Sequence, residues 1–94
     1  MQFEWDEDKN TINKKKHDGI SFEMAVRVFL DEKRLERYDE AHSFWGEDRW
    51  NTIGMVGEVL FVVYTERGDK IRLISARRAT REEEQYYYEG YEFR

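Results

Sequence analysis

The densest group of cations in this chain lies between residues 65 and 81, where a tight turn at Gly68-Asp69 separates two segments with strand character. The second segment carries Arg72, Arg77 and Arg78. Arginines on a rigid sheet present planar forks that fit phosphate groups. Solvated strand residues, or partners for the many carboxylates of the chain, are an equally open interpretation of the same cluster.

The charge of the chain is unevenly distributed. The net charge is −5, but residues 49–81 hold 7 basic and 3 acidic side chains. This basic middle segment can form a positive patch for nucleic acid. The acidic average argues against loose binding to duplexes, which depends on many phosphate contacts.

The composition excludes several classes of function. The 94 residues include no cysteine, so no disulfide and no thiolate metal site is expected. No metal-ligand spacing, glycine-rich phosphate loop or nucleophile elbow is present, so we expect no metal and no cofactor. No long apolar run or signal-peptide pattern occurs, so no membrane partner and a cytoplasmic location are expected.

The pattern of apolar residues predicts an α+β fold in a single domain, residues 1–94. Asp6 is a plausible N-cap of a first, exposed helix that ends near Gly19. Ser21 caps a second helix, whose buried face is predicted to contain Phe22, Ala25, Val26, Phe29 and Leu30. An antiparallel sheet of about four strands follows, with residues 59–64 as its central strand. Thr80 and Glu83 form a capping box that opens a C-terminal helix.

Strict alternation in the strand at residues 70–77 predicts which arginines share a face. Ile71, Leu73 and Ser75 would lie with Arg77, and Arg72, Ile74 and Ala76 with Arg78. Arg77 and Arg78 would therefore project from opposite faces of the sheet.

Arginines, histidines, acids and aromatics without a metal site suit RNA cleavage by the 2′-hydroxyl of the RNA itself. That reaction needs a base, cations that stabilise the charge on the phosphate, and an acid for the leaving oxygen. His17 is a candidate, although a helix cap explains it somewhat better, and His42 in a polar loop is weaker. Exposed aromatics stack unpaired bases, but core packing is the commoner role of such residues. The aromatic candidates are Trp45, Trp50 and Tyr64.

Several short motifs follow one another in a fixed order along residues 3–88. They are Phe3-Glu4-Trp5-Asp6, Lys9-Asn10-x-x-Asn13-x-x-Lys16-His17, Gly19-Ile20-Ser21-Phe22-Glu23-x-Ala25, Phe29 with Asp31, Gly46-Glu47-x-Arg49, the run from Tyr64 to Gly68, the run from Ile71 to Arg77, and Thr80 with Glu83. In this order and spacing the chain resembles the BrnT family of toxins from type II toxin–antitoxin systems.

The resemblance implies an RNA-cleaving toxin with a RelE-like fold and no need for a metal. It also implies neutralisation by a BrnA-type antitoxin, whose ribbon-helix-helix region binds operator DNA, so that DNA is a partner only through the antitoxin. The implied catalytic residues are Arg67 and Arg77 as phosphate-stabilising cations and His17 and Glu47 in proton transfer, and the implied RNA-binding residues are Lys16, Arg49 and Arg72. For Glu47 and Arg49 the simpler interpretation is a surface ion pair.

Two features depart from the family pattern. Asp18 separates His17 from Gly19 and adds a carboxylate beside the imidazole, which can change its orientation or pKa. The tail, residues 89–94, is either an antitoxin contact or disordered. The acidic average and Asp18 also leave open a second function, a catalytically silent module that pairs with an antitoxin and modulates its DNA binding.

Overall fold

The computed structural model describes residues 1–90, 92 and 93. Its elements in chain order are β1 (Gln2–Glu4), α1 (Glu7–Lys16), α2 (Phe22–Ala25), a 3₁₀ helix (Val26–Leu30), β2 (Leu35–Tyr38), β3 (Arg49–Val56), β4 (Glu58–Arg67), β5 (Lys70–Arg78) and α3 (Arg81–Glu89). No helix in the described part of the chain has the length and apolar character needed to cross a membrane. The α+β class is confirmed.

The sheet has five strands rather than the four antiparallel strands expected from the sequence. Their order is β1-β5-β4-β3-β2. β1 pairs with β5 in parallel, through Gln2–Glu4 and Lys70–Arg72. The other three pairings are antiparallel. A three-residue strand has too short a pattern to reveal its partner, because the helices that follow it decide where the start of the chain lies.

β4 is the central strand because it is apolar on both faces. Leu60, Val62 and Tyr64 lie in a core beneath α1 and α2, together with Phe22. On the other face, Phe61 joins a smaller cluster beneath α3. Burial on both faces accounts for the continuous apolar run, as the sequence predicted.

α1 closes the edge of β5 with polar side chains. Asp6 caps the helix by accepting from the amides of Asp8 and Lys9. On the inward face, Nδ2 of Asn13 donates to the carbonyls of Ile20 and Ala76, and its Oδ1 accepts from the Ala76 amide. The Asn13 side chain thus pairs with β5 where β1 has ended, which is why a helix so poor in apolar residues docks there.

The second helix differs from its predicted form. Only residues 22–25 are α-helical, and the chain tightens into the 3₁₀ helix that follows. Ala25 and Val28 lie one 3₁₀ turn apart, and both are buried on the same side as Phe22. Leu30, expected in the core, is 80% exposed. The prediction for Leu30 was wrong because it assumed 3.6 residues per turn.

α3 has the predicted capping box. The Thr80 hydroxyl accepts from the Glu83 amide at 3.2 Å, and the Glu83 carboxylate accepts from the Thr80 amide at 2.8 Å. Beyond the helix, Phe93 is buried and contacts the rings of Phe61 and Tyr86. Phe93 therefore packs in the small cluster beneath α3, and residues 91 and 94 of the tail lie outside the described residues.

A bulge in β5 changes which of its side chains share a face. Val63 pairs with Ser75, but Tyr64 pairs with Leu73, so Ile74 is the extra residue. Leu73 and Ala76 therefore both lie in the core. The predicted strict alternation was wrong, and the correction brings Arg72 and Arg77 onto the same face.

Candidate active site on the sheet face beneath α3

Three rows of paired residues cross the sheet on the face that α3 partly covers, which we call the α3 face. The rows are Leu35, Ile53, Phe61 and Arg77; Arg37, Asn51, Val63 and Ser75; and Arg49, Thr65 and Arg72. The first row is mostly apolar and lies under α3, whereas the third is polar. The α3 face therefore changes along the strands from a small core to an accessible cationic surface.

A cavity of about 410 Å³ opens where these two regions meet. Its charged and titratable lining consists of Arg37, Asp39, His42, Arg49, Arg77 and Glu83. Three arginines against two carboxylates favour an anionic ligand. The rest of the lining is largely the apolar floor of the sheet, where charges interact more strongly than in water.

Arg77 is the most firmly held cation of the cavity. Its Nη1 and Nη2 donate to the two carboxylate oxygens of Glu83 at 2.7 and 3.0 Å. The guanidinium carbon lies 4.1 Å from the ring centroid of Phe61. Burial raises the pKa of Glu83, but the hydrogen bonds from Arg77 and Thr80 more than offset this, so the pKa lies below its usual value. α3 therefore fixes the orientation of Arg77 through a carboxylate that remains ionised.

Arg49 is held less completely. Nη2 lies 3.8 Å from Oε2 of Glu47, and the guanidinium sits over the ring of Phe44 at 5.6 Å. Nε of Arg49 is buried and has no hydrogen-bond partner among the described residues. A buried donor without an acceptor is costly, and a phosphate oxygen would satisfy it.

A chain of hydrogen bonds crosses the cavity from Arg37 to His42. Nε of Arg37 donates to Oδ1 of Asn51 at 3.0 Å, and Nδ2 of Asn51 donates to Oδ2 of Asp39 at 3.1 Å. Nδ1 of His42 lies 3.0 Å from the same carboxylate. Burial raises the pKa of Asp39, but the hydrogen bonds from Asn51 and His42 outweigh it and lower that pKa overall.

Lys16 and His17 lie across Ser75 from this cavity. They line a smaller cavity of about 170 Å³ that shares Ile74 and Ser75 with the larger one. The pKa of His17 is lowered, first by burial and then by the charges of Lys16 and Arg77. Asp18 opposes this only as the last of the contributing causes. The imidazole of His17 is therefore biased towards its neutral form.

Asp18 and Arg78 belong to the opposite side of the sheet. Asp18 has a φ of 52°, and its carboxylate accepts from Nη1 of Arg78 at 2.9 Å. Arg78 also bonds Glu58. The residue that departs from the family pattern therefore forms an exposed ion pair away from the cavity, where such pairs contribute little energy.

The remaining predicted arginines extend the α3 face beyond the cavity. Arg72 belongs to the polar row, and its Nη1 lies 3.6 Å from Oε2 of Glu4 on β1. Arg67 is exposed at the end of β4, six residues beyond the position paired with Arg77. At about 3.3 Å per residue, Arg67 and Arg77 are separated by roughly 20 Å along the strand. The structure does not bring these two predicted cations to one phosphate.

The three aromatic candidates differ in accessibility. Tyr64 is 4% exposed and belongs to the core. Trp50 contacts the ring of Tyr38. Trp50 is partly buried, whereas Trp45 is 99% exposed in the loop between β2 and β3, so its ring is the most accessible of the three.

Comparison with known proteins places this chain and its fold in a family. The sequence matches the family described as ribonuclease toxin, BrnT, of type II toxin–antitoxin systems, over residues 5–83. The chain belongs to the BrnT family. Its structure is similar to that of the Brucella abortus ribonuclease toxin BrnT, with a TM-score of 0.65 and 25% sequence identity, over 86% of this chain and 99% of that chain. No curated protein matches the chain. As a BrnT-family ribonuclease toxin of a type II system, it pairs with an antitoxin and acts on RNA.

Sequence reasoning missed much of the cavity lining of this BrnT-family protein. Arg37, Asp39 and Asn51 received no role, and His42 was rated below His17. Arg37 and Asn51 are adjacent only because β2 and β3 pair in a particular register. The one available signal was Asp39 three residues before His42, a spacing that permits a turn closed by the aspartate side chain.

Proposed function

We propose that this BrnT-family toxin is an endoribonuclease that cleaves RNA without a metal, using the 2′-hydroxyl of the RNA as nucleophile, and thereby inhibits translation and growth. The observation that supports this proposal is the cavity on the α3 face. There Arg77 is held by hydrogen bonds to Glu83, and Nε of Arg49 is buried without a partner among the described residues. Arginine forks held in place before the reaction stabilise the charge that builds on a phosphate in the transition state.

The proposal assigns different tasks to the predicted residues. Arg77 and Arg49 bind the phosphate at which cleavage occurs. Arg67, roughly 20 Å from Arg77 along the strand, binds a phosphate further along the same RNA strand. The remaining predicted residues keep their assignments: Arg72 and Lys16 support RNA binding, and His17 and Glu47 are proton-transfer candidates.

Cleavage of a defined RNA by purified, antitoxin-free protein in excess EDTA tests this function. The informative pair of variants is Arg77→Ala and Arg78→Ala, because these neighbouring arginines project from opposite faces of the sheet. We expect Arg77→Ala to lose about 100-fold or more in rate, the usual cost of one donor to a developing oxyanion. Arg78→Ala should remain close to wild type.

Three results would contradict the proposal. One is equal activity of folded Arg77→Ala and Arg78→Ala proteins. Another is cleavage of an RNA whose 2′-hydroxyl at the scissile position has been replaced by hydrogen. The third is loss of all wild-type activity in EDTA with recovery on adding Mg²⁺, which would contradict metal independence alone.

The proposed antitoxin is of the BrnA type, with a ribbon-helix-helix region that binds operator DNA, and the toxin meets this DNA only through it. We expect the antitoxin to cover the cavity with acidic or aromatic groups, since complementary charge guides encounter. Co-expression should restore growth, and a mobility-shift assay should show operator binding by the complex but not by the toxin alone. A complex in which Arg49 and Arg77 stay fully exposed would contradict this part.

A further inference from the structure

A buried carboxylate holds the ring of His42 in place. Nδ1 of His42 lies 3.0 Å from both oxygens of Asp39, and the His42 amide donates to Oδ1 at 3.2 Å. Asp39 is 9% exposed and is itself fixed by Nδ2 of Asn51. Ser43 secures the same turn, because its hydroxyl donates to the Asp39 carbonyl at 2.7 Å. The loop thus orients one imidazole through five hydrogen-bond contacts that all converge on Asp39.

This arrangement leaves the second ring nitrogen of His42 available. A ring that donates Nδ1–H to a carboxylate carries its lone pair on Nε2. The His42 side chain is 70% exposed, and within residues 1–90, 92 and 93 Nε2 has no hydrogen-bond partner. The ring lines the same cavity as Arg49 and Arg77. An oriented base and two phosphate-binding cations therefore meet in one cavity.

The other histidine lacks such support. No hydrogen bond holds the ring of His17 among the described residues, and α1 places it across Ser75 from the larger cavity. General-base catalysis requires the base within hydrogen-bond reach of the proton that it takes, so a fixed ring has the advantage.

We propose that Nε2 of His42 is the general base that takes the proton of the attacking 2′-hydroxyl, and that Asp39 is its positioning residue. This inference rests on the proposed RNA cleavage. As the proton passes to Nε2, O2′ forms a bond to the adjacent phosphorus, and the bond from phosphorus to the 5′-oxygen breaks with its electron pair. The 5′-oxygen takes a proton from solvent water, and the hydroxide left behind takes the proton from Nε2, which regenerates His42. The products are a 2′,3′-cyclic phosphate and a 5′-hydroxyl.

The His42→Asn variant separates proton transfer from the structure of the loop. An asparagine amide nitrogen occupies nearly the position of Nδ1 and still donates to Asp39, but no group remains at the position of Nε2. We expect the thermal midpoint to stay close to wild type, while kcat falls by about 100-fold or more with KM little changed, as for loss of a general base.

A second substrate distinguishes a base from an acid. When sulfur replaces the leaving 5′-oxygen, the leaving group needs no protonation, so loss of a general acid is rescued and loss of the base is not. His42→Asn should therefore be slow on both substrates. Recovery of wild-type rates on the sulfur substrate would overturn the assignment as base, and wild-type rates on both substrates would overturn any catalytic role.

The positioning role of Asp39 is tested by Asp39→Asn. A folded Asp39→Asn protein should lower kcat with KM retained and should remain slow on the sulfur substrate. A pure loss of stability with an unchanged kcat for the folded fraction would overturn the positioning role. If wild-type protein does not cleave RNA at all, the proposed function fails, and this inference fails with it.

Discussion

Replacing Asn13 by alanine should remove the hydrogen bonds that hold α1 against the sheet and should lower the stability of the protein. The Asn13 amide makes three buried hydrogen bonds, to the Ile20 carbonyl at 2.8 Å, to the Ala76 carbonyl at 2.8 Å and from the Ala76 amide at 3.1 Å. Asn13 is 6% exposed, so water does not readily replace these partners. Alanine would leave two carbonyls and one amide unpaired at the open part of the β5 edge.

The expected cost follows from that count. A buried polar group that loses its partner costs about 1–3 kcal/mol, so three groups with partial entry of water cost roughly 3–5 kcal/mol. A loss of this size is a large fraction of the stability of a small domain, typically about 5–15 kcal/mol. With about 4–8 °C per kcal/mol in a domain of this size, the melting temperature should fall by more than about 12 °C.

Urea unfolding of Asn13→Ala beside Lys14→Ala provides the assay. Lys14 is the exposed neighbour on the same helix, and its replacement should change the free energy of unfolding by less than about 0.5 kcal/mol. Amide hydrogen exchange at Ala76 gives a local measure, because its protection depends on Oδ1 of Asn13. A loss below about 1 kcal/mol, or an Ala76 amide equally protected in the variant, would refute the reasoning.

Three further outcomes are expected. Glu83→Ala should destabilise the protein by about 2–3 kcal/mol in urea unfolding, because it removes both the ion pair with Arg77 and part of the α3 cap. Replacement of the exposed Glu84 by alanine should have little effect, and equal losses of stability in the two variants would refute this. Arg67→Ala should raise KM for RNA of several nucleotides and leave kcat unchanged, and a fall in kcat alone would place Arg67 at the scissile phosphate instead. The lowered pKa of His17 means that the folded state binds a proton less readily than the unfolded state. The free energy of unfolding should therefore fall as the pH drops below about 6.5. Urea unfolding at pH 7 and pH 5 should show a smaller fall in the His17→Gln variant than in the wild type.

Short-range chemistry was predictable from the sequence. Asp6, Ser21 and the pair Thr80 and Glu83 cap the helices at the predicted positions. Caps depend on a side chain and amides two or three residues away, so the local sequence contains all the information. The apolar run of β4 likewise indicated a central strand, because a strand covered on both faces has no polar side.

Departures from regular geometry were not predictable. The 3₁₀ helix directs Leu30 towards solvent. The bulge at Ile74 places the strand residues before it, including Arg72, on the face opposite to the one predicted from strict alternation. Gly54 gives part of the physical reason: a Cβ there would lie 2.6 Å from Cγ1 of Val28, so β3 and the 3₁₀ helix approach closely at this point. Such a contact joins segments far apart in the chain, and neither segment alone specifies it.

The sequence by itself determined the class of fold, the caps, the buried central strand and a set of arginines suited to phosphate. The tertiary structure decided which of these residues meet. It brought Arg49 and Arg77 into the lining of one cavity, left Arg67 outside that lining at the end of β4, and joined His42 to Asp39 at the rim of the same cavity. The physical reason is that a site depends on strand register and on a bulge, and a shift of one residue in either moves a side chain to the opposite face.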